Sequence, residues 1–259
     1  MERMSAPLLS FDAVTLRFGG VTALDDVSFT VSDGELFAII GPNGAGKTSI
    51  FNCLNGVYRP ESGEITFRGK SLIGTKPTQV AKHGVARTFQ NLGLFSNLNL
   101  VDNLMLGRHL LMKSGFITGA LWFGRAKREE IHHRGRVEEI IDFLDLQPHR
   151  YSPVGMLPYG IQKRIELGRA LAMEPSLLLL DEPVAGMNLE ETEDMARFII
   201  EVRDRLHIAM ILVEHDMHMV MDIADRVMAL NFGQCLATGV PSVIQSDPEV
   251  IAAYLGEPA

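Results

Sequence analysis

Residues Gly41, Pro42, Asn43, Gly44, Ala45, Gly46, Lys47 and Thr48 carry the spacing G-x-x-x-x-G-K-T, with Ser49 next in line. Glycines at such positions let backbone N–H groups converge on phosphate oxygens with no Cβ in the way. Lys47 offers a charge to the terminal phosphates, and Thr48 offers a hydroxyl to Mg²⁺. The flanks turn the pattern into a site. An apolar run, Leu36-Phe37-Ala38-Ile39-Ile40, enters the loop, and a helix-like segment from Ser49 to Val57 leaves it. A helix starting there adds its unpaired N–H groups and the positive end of its dipole.

Four further positions fall where apolar strands should end, which is where ligands bind in open α/β sheets. Leu177-Leu178-Leu179-Leu180 runs into Asp181 and Glu182. Asp181 is placed to help hold Mg²⁺, and Glu182 to orient or deprotonate an attacking water. Gln90 follows Arg87-Thr88-Phe89, and its amide oxygen could touch Mg²⁺ or that water. His215 follows the apolar stretch Ala209 to Val213, where an imidazole could meet a terminal phosphate. Each has a plainer alternative: a strand capped by solvated acids, a surface glutamine, a loop histidine. Their shared place relative to the phosphate loop favours chemistry. His132, His133 and His207 have no such context and read as helix-surface residues.

Composition narrows the function classes. The 259 residues are 46% hydrophobic, enough to bury a substantial core. A formal net charge of −8 argues against wholesale binding to nucleic acid or an acidic membrane face. Cys53 and Cys235 lie far apart in apolar surroundings and read as reduced core thiols of a cytoplasmic protein. No secretory leader and no run of eighteen apolar residues is present, so membrane association is expected to go through a protein partner.

The elements needed to position these residues are legible. Strands are expected at Leu8 to Phe18, Val27 to Val31, Glu64 to Phe67 and Val85 to Phe89. The middle of the chain is helical: Asn103 to Lys113, a segment from Ala126 with Val137, Ile140, Ile141 and Leu144 on one face, and Ile161 to Met173. Residues 114–125 read as a loop. The last third returns to α/β, with a helix at Leu189 to Leu206, a hairpin turning at Asn231-Phe232-Gly233, and a terminal helix capped by Asp247.

One segment makes the set specific. Leu157-Pro158-Tyr159-Gly160-Ile161-Gln162 opens a helix between Gln90 and the Asp181-Glu182 strand. In order, the phosphate loop, glutamine, helical insert, glycine-bearing signature, acidic strand end and histidine resemble an ATP-binding-cassette (ABC) ATPase over nearly the whole chain. That resemblance implies an α/β fold: a P-loop NTPase (RecA-like) core, 1–91 and 171–259, with an N-terminal antiparallel β subdomain and an inserted α-helical subdomain, about 92–170. It implies ATP and Mg²⁺ as cofactors. It also implies head-to-tail pairing of cassettes, in which Tyr159 and Gly160 would face the partner subunit's ATP. Phe18 stands at the position whose ring stacks on adenine.

The signature departs from the common Leu-Ser-Gly-Gly-Gln form at Pro158, Tyr159 and Ile161, and Asn188 stands where aspartate is usual. Leu16-Arg17-Phe18-Gly19-Gly20, Arg87-Thr88-Phe89-Gln90, Ala185-Gly186-Met187-Asn188, Val213-Glu214-His215-Asp216-Met217 and Ala253-Tyr254-Leu255-Gly256 are similar to the larger ATPase subunit of bacterial branched-chain amino-acid importers. This similarity implies a heterodimer with a second, shorter ATPase, two membrane permease subunits and an extracytoplasmic binding protein. The place of action would be peripheral, on the cytoplasmic face of the inner membrane. Leu92, Leu94, Phe95 and Leu98 are then expected to form the groove for a permease helix. A related cassette for urea or lipopolysaccharide, and a non-transport ABC ATPase, remain the alternatives.

Overall fold

Strands buried on both faces dictate the architecture. The computed structural model describes residues 6–88, 93–112 and 125–255, with the side chains of 125–127 and 255 excepted. Strands β1 (Leu9–Phe18), β2 (Val21–Val31), β4 (Ser62–Phe67) and β5 (Lys70–Ser71) form an antiparallel sheet in the order β2-β1-β4-β5. Strands β3 (Leu36–Ile40), β6 (Val85–Arg87), β7 (Leu177–Asp181), β8 (Ala209–Val213), β9 (Arg226–Asn231) and β10 (Gln234–Gly239) form the second sheet, ordered β10-β9-β3-β8-β7-β6. Its pairs are parallel except β10 with β9. The helices are α1 (Lys47–Leu54), α2 (Pro77–Lys82), α3 (Leu100–Arg108), α4 (Arg125–Phe143), α5 (Tyr159–Leu171), α6 (Leu189–Leu206), α7 (Met217–Ile223), α8 (Pro241–Gln245) and α9 (Pro248–Leu255).

Every residue of β3, β7 and β8 is buried. Alternation along each strand feeds two separate cores. Leu36, Ala38, Ile40, Leu178, Leu180, Met210 and Leu212 pack with Leu104 of α3, Ile141 of α4, Ile165 of α5 and Phe198 of α6. Phe37, Ile39, Leu177, Leu179 and Ile211 face the other way, onto Phe51 of α1 and the antiparallel sheet. There Phe11, Phe29 and Phe37 stack at 4.9 and 5.2 Å between centroids, tying the two sheets together. Because Arg87 registers with Leu179, Asp181 with Val213 and Ile39 with Val213, the strands end together at one edge.

Several expectations shift. Helix α3 begins at Leu100, because the Asn99 side chain accepts a hydrogen bond from the Asp102 N–H at 2.8 Å, and it ends at Arg108. Gln90 and Leu92 lie outside the described residues, as does most of the segment read as a loop at 114–125. His133 is buried rather than on the surface. It sits four residues before Val137, on the core-facing stripe of α4, and its Nδ1 accepts from Arg108 Nε at 3.0 Å. His132 and His207 are exposed; His207 ends α6 in a left-handed conformation. Cys53 is buried as expected, but Cys235 is exposed, because β10 is the edge strand of its sheet.

Asn103 and His133 make this packing measurable. Buried Asn103 accepts from the Phe95 N–H and donates to the carbonyls of Phe95, Leu98 and Asn99, so it shapes the loop before α3. Asn103→Ala is expected to cost about 1–3 kcal/mol in urea unfolding. Burial and the Arg108 charge hold the His133 imidazole below its ordinary value near 6.5. The unfolded chain therefore binds the proton more readily, and stability should fall as pH drops below about 6.5. That slope should flatten in His133→Gln.

Candidate active site

The loop between β3 and α1 is held by its neighbours. Gly41 and Gly46 have φ of 155° and 111°, and a Cβ would come within 2.2 Å of the Leu230 carbonyl oxygen at the first and 2.7 Å of the Ala23 carbonyl oxygen at the second. No other residue fits there. Gly233 N–H, in the β9–β10 turn, donates to the Ala45 carbonyl at 2.9 Å. Gly46 starts α1 without a side-chain cap, so the first-turn N–H groups suit an anion. Ala45 is buried, Pro42 and Ser49 are half-buried, and Asn43, Gly44 and Thr48 are exposed. Lys47 is buried, and its Nζ donates to the carbonyls of Gly41 and Pro42. Burial pulls its pKa down, while Glu182 and Asp181 act against that from nearby.

The acids sit where β7 delivers them. Asp181 is buried, and Arg87 Nη2 donates to its Oδ2 at 2.5 Å. Glu182 turns into the left-handed region at φ 49°, fixed by its N–H donating to the Val213 carbonyl at 2.9 Å. Such a conformation costs of order 1–2 kcal/mol, and here it separates the direction of Glu182 from that of Asp181. Glu182 Oε1 lies 2.8 Å from His215 Nε2. With the proton on Nε2, His215 donates and orients the carboxylate.

Glu214, which no motif assigns a role, explains where His215 stands. It is buried; its Oε1 accepts from the Val184 N–H and its Oε2 from the His215 N–H, each at 2.9 Å. It thus ties the turn after Glu182 to the turn bearing His215. Burial pushes its pKa up, against the pull of these N–H groups. In the sequence Glu214 is visible only as an acid beside His215, with no sign of its two backbone partners.

Elsewhere the expected residues are dispersed. Phe18 is 47% exposed, with Tyr58 edge-on to its ring at 5.0 Å. Tyr159 opens α5 with its hydroxyl donating to the Ala185 carbonyl at 3.1 Å. Gly160 is buried, and a Cβ there would meet Glu191 Oε1 at 2.4 Å. Glu191 is held by a reciprocal cap with Asn188, which accounts for Asn188 within the chain: it starts α6. Among the described residues no group of three His, Cys, Asp or Glu could hold a metal. The Asp181 carboxylate and the Thr48 hydroxyl each offer a hard oxygen donor. That suits Mg²⁺, which keeps waters and shares phosphate oxygens.

Known proteins share this layout. A family profile described as ABC transporter matches residues 24–185, and one described as branched-chain amino acid ATP-binding cassette transporter matches 234–259. The chain is 40% identical over 254 residues to the high-affinity branched-chain amino acid transport ATP-binding protein LivG of Salmonella typhimurium, covering 98% of this chain and 100% of that one. It is 39% identical over 258 residues to BraF of Pseudomonas aeruginosa, a protein of the same description, with the same coverage. Among solved structures, the ADP conformation of MJ1267, an ATP-binding cassette of an ABC transporter, superposes with a TM-score of 0.85 at 28% identity, over 98% of this chain and 100% of that one.

Lys47→Ala is expected to weaken nucleotide binding in an equilibrium titration, because it deletes the charge at the mouth of the loop. Glu182→Gln is expected to keep binding, since its shape and its place against His215 persist, while turnover falls ~10²–10⁴-fold. Undiminished turnover in Glu182→Gln would remove Glu182 as the base.

Proposed function

Because this chain belongs to the ABC transporter family, we propose that it is the ATPase subunit of an importer for branched-chain amino acids. The observation that carries the reading is the gathering of Lys47, Asp181, Glu182 and His215 at one sheet edge, beside a helix N-terminus open to phosphate. Likeness to LivG and BraF over their full lengths, and the separate match at 234–259, support the solute class.

The residues divide the work. Phosphate-loop amides and the start of α1 hold the phosphates, and Lys47 exchanges two backbone carbonyls for phosphate oxygens. Its charge is already largely desolvated, so the exchange costs little. Thr48 and Asp181 would hold Mg²⁺, which when bound offsets charge on the phosphate oxygens. Glu182 takes the proton of the attacking water, with its carboxylate aimed by His215. Phe18 stacks on the adenine. Gln90 joins the site as Mg²⁺ or water contact. Tyr159 and Gly160 serve the nucleotide of a second, shorter ATPase subunit, and the block of about 92–170 acts as the inserted helical subdomain.

Among the described residues no helix is long and apolar enough to cross a membrane. Two permease subunits would therefore hold this chain at the cytoplasmic face, with an extracytoplasmic binding protein delivering solute. Phe95 is 58% exposed and Leu98 is exposed beside it, which supports these two as the permease contact, whereas Leu94 packs on the core and drops out of the expected groove.

Copurification from native membranes should return two permeases and a second cassette, and labelled leucine uptake should depend on this chain. Uptake of urea, or recovery with ribosomes or no membrane partner, would overturn the importer assignment. Phe95→Ala should abolish uptake while leaving the ATPase activity of the isolated chain intact. Undiminished uptake would remove Phe95 from coupling.

A further inference from the structure

Arg87 ends β6, and no motif role falls to it. Its Nη2 donates to Asp181 Oδ2 at 2.5 Å and its Nη1 donates to Asn52 Oδ1 at 2.8 Å. The guanidinium also sits 5.4 Å from the centroid of the Phe51 ring. Its side chain is 12% exposed and that of Asp181 is 6% exposed. One rigid planar group therefore joins three elements: β6, the strand β7 that presents Asp181, and the helix α1 that leaves the phosphate loop. A lysine offers a point charge without that fork.

The placement has consequences for Asp181. A buried carboxylate next to two cations can pair with either. Lys47 is the other cation close enough to act on it. With Arg87 in place, Oδ2 is committed, and Oδ1 is the oxygen left for a cation's water shell. Without Arg87 the buried carboxylate would be drawn toward Lys47. That takes Asp181 away from a metal and Lys47 away from phosphate. An opposing effect exists, because the guanidinium charge weakens the pull of the carboxylate on Mg²⁺. The two effects predict opposite signs, and the loss of orientation dominates because Lys47 then occupies the carboxylate that Arg87 had kept turned to the metal side.

We propose that Arg87 is a positioning residue: it locks Asp181 to the phosphate-loop helix and thereby sets how strongly Mg²⁺ tightens nucleotide binding. This rests on the assignment of Thr48 and Asp181 to the Mg²⁺ side of the site. Partners that position metal-binding groups from behind are typically worth 10–100-fold in metal affinity, which sets the expected size.

The test is calorimetric titration of the full chain with ADP, chosen because it lacks the phosphate that turnover would remove, once with Mg²⁺ and once with EDTA. In Arg87→Ala the Mg²⁺-dependent tightening, the ratio of the affinities with Mg²⁺ and in EDTA, should shrink ~10-fold or more. General damage to the fold would lower both affinities and leave that ratio unchanged. Arg87→Lys should recover part of the tightening, since it restores charge without the bond to Asn52. Asn52→Ala should lose a smaller part, and it serves as the test if Arg87→Ala does not fold. Equal or greater Mg²⁺-dependent tightening in these variants overturns the role of Arg87 alone. A wild-type chain whose ADP affinity ignores Mg²⁺ overturns the assignment of Thr48 and Asp181, and this role with it.

Discussion

Two backbone carbonyls, of Leu230 and Ala23, stand where Cβ atoms at positions 41 and 46 would be, at 2.2 and 2.7 Å. Leu230 belongs to β9 in the parallel sheet, and Ala23 to β2 in the antiparallel one. The phosphate loop is thus wedged between both sheets, and its amides are aimed inward by packing before any anion arrives. The bond from Gly233 to Ala45 closes the wedge from the β9–β10 turn. Preorganisation of this kind removes ordering cost from the binding step, which is how a short loop of backbone donors becomes a strong anion site. The aromatic stack from Phe11 through Phe29 to Phe37 holds the two sheets at the spacing that the wedge needs.

Charge is distributed by the same logic. Lys47, Arg87, Asp181, Glu182 and Glu214 crowd one edge of the sheet, and those deepest in the protein are each engaged: Lys47 by loop carbonyls, Asp181 by Arg87, Glu214 by two N–H groups. Glu182 and His215 are the more exposed pair, facing the mouth. Buried charges with fixed partners hold geometry, whereas the exposed pair can exchange partners when a substrate enters. Strain at Glu182 fits this division, since a strand-end residue in the left-handed region sends its side chain where its neighbour's does not go.

Much of this is legible in the sequence because its signals are local. Glycine spacing, continuous apolar runs for strands buried on both faces, and the Asn231-Phe232-Gly233 turn each depend on a few adjacent residues. Helix α6 matches its expected bounds for the same reason. His133 defeats such a reading because a histidine in a charged helix carries no sign of which face it occupies. The phase is set by Val137 and Ile141 packing on α5 and the sheet. Cys235 defeats it because nothing in its apolar neighbourhood says that β10 is an edge strand. The pairing of Arg87 with Asp181 spans 94 residues, and no local pattern reports a contact of that range.

The sequence by itself determined the chemistry on offer: a phosphate loop with its lysine and threonine, an acidic strand end, a histidine after another strand, and the family these imply. It determined them because spacing along one loop or one strand end is preserved on folding. Only the tertiary structure decided which oxygen of Asp181 is committed, that Glu214 anchors the His215 turn, and that Gly160 lies against the Glu191 side chain within the chain itself. Those outcomes depend on how separate strands come into register and how closely helices approach, and such distances are set by packing between segments that the linear order keeps far apart.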